Sequence, residues 1–221
     1  MEKNFKYSWS IFENLAVDYD KWFEFEGKGI YENEITAFKS ISEEITNPSL
    51  EIGVGSGRFA MPLHVDFGID PSINLLAISK KRGIKVVQGI GEDLPFKDRS
   101  FKTVLIVVTI CFVRSPVKLL KETKRVLEPG GDAILGLVLR DSPWGRLYEK
   151  KKNEGHRFYK YARFYTFEQI KAMLGSTGFK IGNVVSTLFS SPTGKIERET
   201  PQFGYSKDAG FTIIDAKFTM T

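Results

Sequence analysis

The 221-residue sequence has a single cysteine, Cys111, and only two histidines, His64 and His156. One thiol cannot close an intrachain disulfide or supply a multi-thiolate zinc site, so a disulfide-stabilised secreted scaffold is excluded and no metal site is predicted. No apolar run approaches the ~18 residues that a membrane-spanning helix needs. The first residues do not lead into the apolar core of a signal peptide. We therefore expect a soluble, cytoplasmic protein with no membrane partner.

The excess of positive charge is confined to a single segment. The net charge is +5, and residues 140–163 contain eight basic residues against three acidic ones, which accounts for the whole excess. Seven aromatic residues lie in or beside the same segment. Two interpretations stay open: the segment holds an anionic ligand, or it contains a helix near 144–153 whose lysines face water while its aromatics pack inward.

Repeats and low-complexity tracts are also missing, and the length suits one domain spanning 1–221. Short apolar runs at 50–52, 65–69, 84–87, 104–108 and 133–139 are separated by helical patterns at 71–82 and 116–127. This alternation predicts an α/β, doubly wound, mostly parallel sheet with helices on both faces. A helix is also predicted at 32–45 and another at 166–177. Two long strands at 179–188 and 211–218 are expected to pair antiparallel at the sheet edge.

The most informative motif follows the first predicted strand and reads Glu51-Ile52-Gly53-Val54-Gly55-Ser56-Gly57. Glycine permits a turn with positive φ and lets a ligand approach the backbone. The dinucleotide fingerprint would require glycine at position 58, where Arg58 stands, and no Gly-Lys-Ser/Thr follows for a phosphate-binding loop. Only twelve positions separate Gly53 from the next strand and Pro62 interrupts them, so the first crossover helix is expected to be short or irregular.

An acid followed by three alternating glycines resembles motif I of the class I S-adenosylmethionine-dependent methyltransferases. Other stretches of the chain resemble the same family in order and spacing over roughly residues 12–185: 16–22, 68–72, 92–96, 119–131 and 164–179. The resemblance implies a Rossmann-like methyltransferase fold with a seven-stranded sheet and an antiparallel edge strand. It also implies S-adenosyl-L-methionine as the cofactor.

The resemblance assigns cofactor-binding roles position by position. Glu51 and the Gly53 carbonyl are expected near the methionine ammonium, and Asp70 on the ribose, as the acid at the end of the second strand. Family members usually carry an acid where Ile90 stands, so the adenine amino group is expected to use backbone carbonyls or water. The full predicted set is Glu51, Gly53, Gly55, Gly57, Asp70, Pro71, Gly91, Glu92 and Thr109.

The sequence gives less information about the methyl acceptor than about the cofactor. Family members that methylate nucleic-acid amino groups carry Asn/Asp-Pro-Pro-aromatic after the fourth strand, whereas this chain has Thr109-Ile110-Cys111-Phe112. We expect Cys111 to be structural. We expect a small-molecule acceptor under an aromatic cap at 1–30 and a lid at 140–165. The candidates for an acceptor-side catalytic role are Tyr19, His156, Tyr159 and Tyr165.

Two alternatives remain at this stage. An RNA methyltransferase would use the basic 140–163 segment to hold phosphates, although nucleic acid is the less favoured partner. A non-catalytic S-adenosylmethionine-binding module would bind the cofactor without turnover. The sequence carries no signal for an oligomeric state.

Overall fold

The computed structural model describes residues 9–41, 43 and 45–218, so the first eight residues of the predicted cap lie outside it. Its strands form one eight-stranded sheet of order β3-β2-β1-β4-β5-β8-β6-β7. Strands β1 to β5 pair in parallel, whereas β8 runs antiparallel to both β5 and β6, and β7 antiparallel to β6. The strands are β1 (Ser49–Ile52), β2 (Phe67–Asp70), β3 (Lys85–Gln88), β4 (Phe101–Val107), β5 (Leu127–Leu137), β6 (Phe179–Thr187), β7 (Gln202–Phe203) and β8 (Phe211–Phe218).

Helices begin where the sequence supplies caps. Ser72, Ser115 and Ser142 each accept a backbone N–H at a helix start, and Thr166 forms a capping box with Gln169. The helices are α1 (Ser10–Asn14), α2 (Ala16–Trp22), α3 (Lys28–Lys39), α4 (Ile73–Lys81), α5 (Pro116–Val126), α6 (Pro143–Asn153) and α7 (Phe167–Ser176), with a 3₁₀ helix at Tyr159–Tyr161. None of the helices in the described part of the chain combines the length and apolar character of a membrane span.

The predicted doubly wound, mostly parallel α/β architecture is confirmed. The sheet has eight strands rather than seven, because the two-residue β7 is added at the edge. Strand β8 lies inside the sheet, between β5 and β6, and the antiparallel edge strand is β7. The interior position of β8 follows from its composition: Phe211, Ile213, Ile214 and Ala216 are all fully buried, so both faces of the strand need cover.

The first crossover is irregular, as predicted. Between β1 and β2 the chain forms successive turns rather than a regular helix, with bonds such as Val65 N–H to the Ala60 carbonyl at 2.9 Å. Without a long helix here, the glycine loop lies directly beneath the N-terminal helices.

Two apolar clusters cover the two faces of the sheet. One includes Phe38, Phe59 and Trp144 from α3, the first crossover and α6, and the other includes Leu120 and Ile170 from α5 and α7. The carboxyl ends of the parallel strands are left open at the rim between these layers, where ligands of such sheets bind.

Candidate functional site

A cavity of about 690 Å³ opens at the carboxyl ends of β1, β2 and β4. That volume is within the usual range for small-molecule sites, about 300–1,000 Å³. Most predicted cofactor residues line it, namely Gly53, Gly55, Asp70, Pro71, Gly91, Glu92 and Thr109. The four acceptor-side candidates line the same cavity: Tyr19, His156, Tyr159 and Tyr165. The fold thus brings eleven separately predicted positions to one space.

The glycine loop reverses direction at Gly53, which has a φ of +74°. A Cβ there would overlap the Thr109 side chain, so only glycine fits. The Gly53 N–H donates to the Ile69 carbonyl at 2.7 Å, which fixes the loop against the end of β2. Residue Val108, next to Thr109, also has a positive φ of +49°, a costly conformation for a β-branched residue. The backbone is therefore strained at the point where β4 meets the cavity.

Asp70 closes the opposite side of the loop. Its Oδ2 accepts the Gly55 N–H at 3.0 Å and its Oδ1 accepts the Ser72 N–H at 2.9 Å. Burial raises the pKa of this carboxyl to about 6, although both backbone hydrogen bonds act to lower it. Each carboxylate oxygen has a further lone pair, so Asp70 can also accept hydrogen bonds from ligand hydroxyls in the cavity.

Gly91 and Glu92 line the next part of the cavity beyond Asp70. The Glu92 Oε1 accepts the backbone N–H groups of Arg114 at 2.7 Å and Ser115 at 3.2 Å. Its carboxylate therefore holds the loop that leads into α5. Glu92 shapes the predicted adenine end through this loop.

Two predicted residues lie outside the cavity lining. Glu51 is 1% exposed, and burial raises its pKa well above the usual value. Its Oε2 has no hydrogen-bond partner among the described residues. A Cβ on Gly57 would lie 2.8 Å from the Ser79 hydroxyl oxygen, so this glycine permits close packing on α4. The loop thus presents Gly53 and Gly55 to the cavity, while Glu51 and Gly57 lie beyond its wall.

The acceptor-side candidates form an aromatic wall. The Tyr159 ring stacks on His156 at 4.6 Å and on Tyr148 at 4.4 Å between centroids. Burial raises the pKa of Tyr159 to about 12 and also raises that of Tyr19, so both phenols are neutral at pH 7. Burial, helped by the charges of Lys151 and Arg157, lowers the pKa of His156, which is therefore neutral as well.

The 140–165 segment contributes aromatic rings to this wall. Trp144 and Tyr148 are buried, and Lys150 is 73% exposed at the side chain and lies 3.9 Å from Glu154. Lys150 and the buried aromatics agree with the inward-aromatic, outward-lysine interpretation of α6, whereas Lys151 lines the cavity. Cys111 is buried beneath the wall, and burial raises its pKa to about 12, which keeps the thiol protonated.

The sequence reading missed the clamp that fixes the N-terminal cap. Asp20 on α2 accepts from Arg58 at 2.8 Å and from Arg82 at 2.8 Å. Burial opposes ionisation, yet the hydrogen bonds from the two guanidinium groups hold the pKa of Asp20 below its usual range. Arg58, whose position is incompatible with a dinucleotide motif, thus joins the cap to the glycine loop. Only chain topology brings these three residues together, so no local pattern could have identified them.

The sequence reading also missed a segment, 189–199, that closes the far end of the cavity. Glu199 accepts the Phe189 N–H at 2.7 Å and the Ser190 N–H at 2.8 Å, which folds the segment back on itself. Asn33 on α3 holds it by donating to the Glu197 carbonyl at 2.8 Å. Pro192, Gly194 and Ile196 then line the cavity.

Glu34, the neighbour of Asn33, lines the cavity at 6% exposure. Its position between Ile30 and Phe38, at four-residue spacings, was a signal that the residue lies on the buried face of the helix.

Comparison with known proteins supports this geometry. Residues 50–135 match a family model described as a methyltransferase domain. The chain is 41% identical over 208 residues to an uncharacterized protein of Methanocaldococcus jannaschii, covering 94% of this chain and 98% of that protein. It is 26% identical over 203 residues to the demethylmenaquinone methyltransferase of Staphylococcus carnosus, covering 77% and 83% of the two chains.

A solved structure from Thermotoga maritima superposes with a TM-score of 0.88 at 40% identity, covering 96% of this chain and 100% of that one. It is described as an S-adenosylmethionine-dependent methyltransferase and a possible histamine N-methyltransferase. The glycine loop, the acid at the end of β2 and the strand order agree with this similarity. The chain therefore belongs to the class I S-adenosylmethionine-dependent methyltransferase family, with S-adenosylmethionine as its cofactor.

Proposed function

We propose that the protein transfers a methyl group from S-adenosylmethionine to a small-molecule acceptor held under the cap. The observation that carries this proposal is the continuity of the cavity, which joins the glycine loop to an aromatic space enclosed by α2, α3, α6 and residues 192–196. A donor and a compact acceptor would lie side by side there, separated from bulk water.

The residues on the cofactor side fit the donor. Gly53 and Gly55 present backbone to the cavity without a side chain in the way. Asp70 offers a buried carboxylate with free acceptor capacity, which suits a pair of ribose hydroxyls. The apolar side chains of Ile90 and Leu75 line the same region and would cover the adenine and sugar.

When bound, S-adenosylmethionine supplies a methyl group activated by the adjacent sulfonium charge. The chain's own residues would contribute alignment and the exclusion of water, which together can lower a barrier by about 7–11 kcal/mol without a covalent intermediate. The Asp20 clamp and the 189–199 segment would hold the cavity closed during transfer.

The relatives do not define which class of acceptor this protein methylates. Their descriptions name demethylmenaquinone in one case and histamine in another, two molecules of very different size and polarity. The aromatic lining supports an acceptor with apolar surface, and the enclosed volume supports a small one.

An RNA acceptor is the second candidate, since the basic segment belongs to the lid. Its test is RNA affinity measured against salt concentration, in the wild type and after neutralising Lys150, Lys151 and Lys152. An RNA enzyme would lose affinity steeply with salt and on neutralisation, because phosphate binding releases counterions. We expect a flat, weak response, since Lys150 and Lys152 lie within ion-pair distance of Glu154 and Glu149.

The experiment that tests the proposal has two stages. Calorimetry should detect binding of S-adenosylmethionine and its demethylated product, S-adenosylhomocysteine. Incubation with a broad panel of small acceptors should then release S-adenosylhomocysteine. Absence of cofactor binding would overturn the whole proposal. Binding without turnover across the panel would favour a non-catalytic binding module.

A further inference from the structure

Glu34 occupies an unusual position for a carboxylate. It lies in the middle of α3, is 6% exposed, and lines the acceptor side of the cavity. Isolated carboxylates are rarely buried to this degree, because removing the charge from water costs several kcal/mol unless it is paired. The position therefore calls for a specific compensating group.

No compensating group is found in the part of the chain that the structure describes. No described residue donates a hydrogen bond to the Glu34 carboxylate or forms an ion pair with it; its neighbour Asn33 instead binds the 189–199 segment. Burial alone raises the pKa of Glu34 to about 8. A cationic group placed beside it would favour the ionised form and would remove the cost of burial.

Aromatic rings surround the same space. Trp22, Phe23, Tyr148, Tyr159 and Phe164 line the cavity with Glu34. Tyr19, Tyr148 and Tyr159 are close enough that the Glu34 charge adds to the effect of burial in raising their pKa values, and Tyr31 on the same helix responds likewise. Aromatic faces attract cations, and the attraction is strongest where water is excluded.

The cavity lining also includes three cationic side chains, Arg114, Lys151 and Arg157, and in the described part of the chain none of them forms an ion pair with Glu34. Lys151 lies over the Tyr148 ring at 5.8 Å, and Arg157 lies 3.6 Å from Asp18 at the cavity mouth. The acceptor side therefore offers an acid that has no ion-pair partner among the described residues, within an aromatic wall.

From this arrangement we infer that the methyl acceptor is a small basic amine whose nitrogen pairs with Glu34 inside the aromatic half of the cavity. The inference rests on the proposed methyltransferase function and specifies its substrate class. Glu34 gives specificity for the cation, and it also supplies the base that an ammonium acceptor requires.

Glu34 takes one proton from the ammonium group of the acceptor. The nitrogen lone pair released in this way forms the new N–C bond, while the C–S bond of the donor breaks and its electron pair stays on sulfur. The product carries the positive charge as a methylated ammonium ion. Glu34 then returns its proton to solvent. The apolar surroundings favour the first step, because they stabilise the neutral amine and acid over two separated charges.

The test compares primary and secondary amines with their hydroxyl isosteres, for example 2-phenylethylamine with 2-phenylethanol, across aliphatic and aromatic members. S-adenosylhomocysteine release measures turnover, and calorimetry with S-adenosylhomocysteine present measures acceptor binding. We expect amines to bind and react and the isosteric alcohols to do neither. Turnover confined to alcohols, phenols or carboxylates, or no amine turnover in protein that binds the cofactor, would overturn the inference.

Two variants distinguish an effect of the Glu34 carboxyl group from a general effect of changing helix α3. Glu34→Gln should raise KM for the reactive amine by about 30-fold or more, because one partner of a desolvated charge pair is removed. Glu32→Gln, on the exposed face of the same helix and 3.9 Å from Lys28, is the matched control and should leave KM within twofold.

Denaturant unfolding shows whether a loss of function in Glu34→Gln comes from a loss of folding. Glu34→Gln should unfold at the same or a higher denaturant concentration than the wild type, since it replaces a buried ionisable acid that has no partner among the described residues with a neutral amide of similar size. An unchanged amine KM in Glu34→Gln would overturn the inference. Failure of the wild type to bind S-adenosylmethionine would instead overturn the proposed function beneath it.

Discussion

The two halves of the cavity are built on different principles. The cofactor half uses backbone and one acid at the ends of adjacent parallel strands, with Gly53, Gly55 and Asp70 within twenty residues of each other. The acceptor half uses side chains from α2, α3, α6, the 3₁₀ helix and the 189–199 segment, which only the tertiary fold brings together. A cofactor common to a family can be held by a local motif, whereas acceptor specificity depends on dispersed side chains that can change one at a time.

The largest expected effect is on the backbone of the cofactor half. Gly53→Ala should lower the free energy of unfolding by about 2–5 kcal/mol, because it adds a left-handed conformational cost and a clash with Thr109. Gly83→Ala is the matched control: its φ is also positive, at +88°, but no atom lies within 4 Å of its Cβ position. It should lose only about 1–2 kcal/mol.

Urea unfolding measures both glycine variants. Adding Thr109→Ala to Gly53→Ala should recover part of the difference from Gly83→Ala, because it removes the two nearest atoms, Oγ1 and Cγ2, and leaves only the Cβ of residue 109 at 2.9 Å. Equal losses for the two single variants would show that the contact with Thr109 does not constrain the loop.

The second effect concerns the clamp between the two halves. Asp20→Asn should cost about 2 kcal/mol, since two guanidinium groups lose a charged partner. Asp18→Asn, on the same helix but half-exposed and 3.6 Å from Arg157, should cost at most about 0.5 kcal/mol. Denaturation of both variants measures the contrast, and equal effects would mean that the cap is held by apolar packing alone.

The stabilisation that the Asp20 clamp provides depends on pH in a defined direction. The pKa of Asp20 is lowered by its hydrogen bonds, against the effect of burial, so its stabilisation is complete above the unfolded-state pKa of about 4. It is lost as the pH falls through the lower folded-state value. The difference in stability between wild type and Asp20→Asn should therefore shrink in acid and stay constant between pH 6 and about 8.

The third prediction concerns the pH dependence of ligand binding in the cofactor half. Burial raises the pKa of Asp70 to about 6, and its ionised form is the better acceptor for ribose hydroxyls. Affinity for S-adenosylhomocysteine should be constant above about pH 7 and should weaken by up to about tenfold per unit below pH 6. Calorimetry across this range measures the profile. A flat profile down to about pH 5 would remove Asp70 from the ligand contacts.

The smallest effect is expected on the outer surface of the lid. Lys150→Gln removes an exposed pair with Glu154, and Lys28→Gln removes an equivalent pair with Glu32, each at 3.9 Å. Both changes should alter stability by less than about 0.5 kcal/mol and leave acceptor KM unchanged. A selective rise in KM for Lys150→Gln would mean that the basic face of α6 binds the acceptor.

The same contrast explains how much the sequence could predict. Alternating apolar runs indicated the sheet and its helices, and three glycines with a later acid indicated the loop that Gly53 and Asp70 form. The position of β8 inside the sheet was missed, because its long pairing partner β5 lies some eighty residues earlier. Glu34 was missed because an acid on a helix resembles a solvated residue until the surrounding α6 and 189–199 segments are in place.

The most direct test of the account titrates S-adenosylhomocysteine into the wild type, Asp70→Asn and Glu34→Gln by calorimetry. The account predicts binding by the wild type, binding about 10- to 100-fold weaker in Asp70→Asn, and binding within about twofold of wild type in Glu34→Gln. No binding by the wild type, or equal weakening in the two variants, would contradict a cavity divided into a cofactor half and an acceptor half.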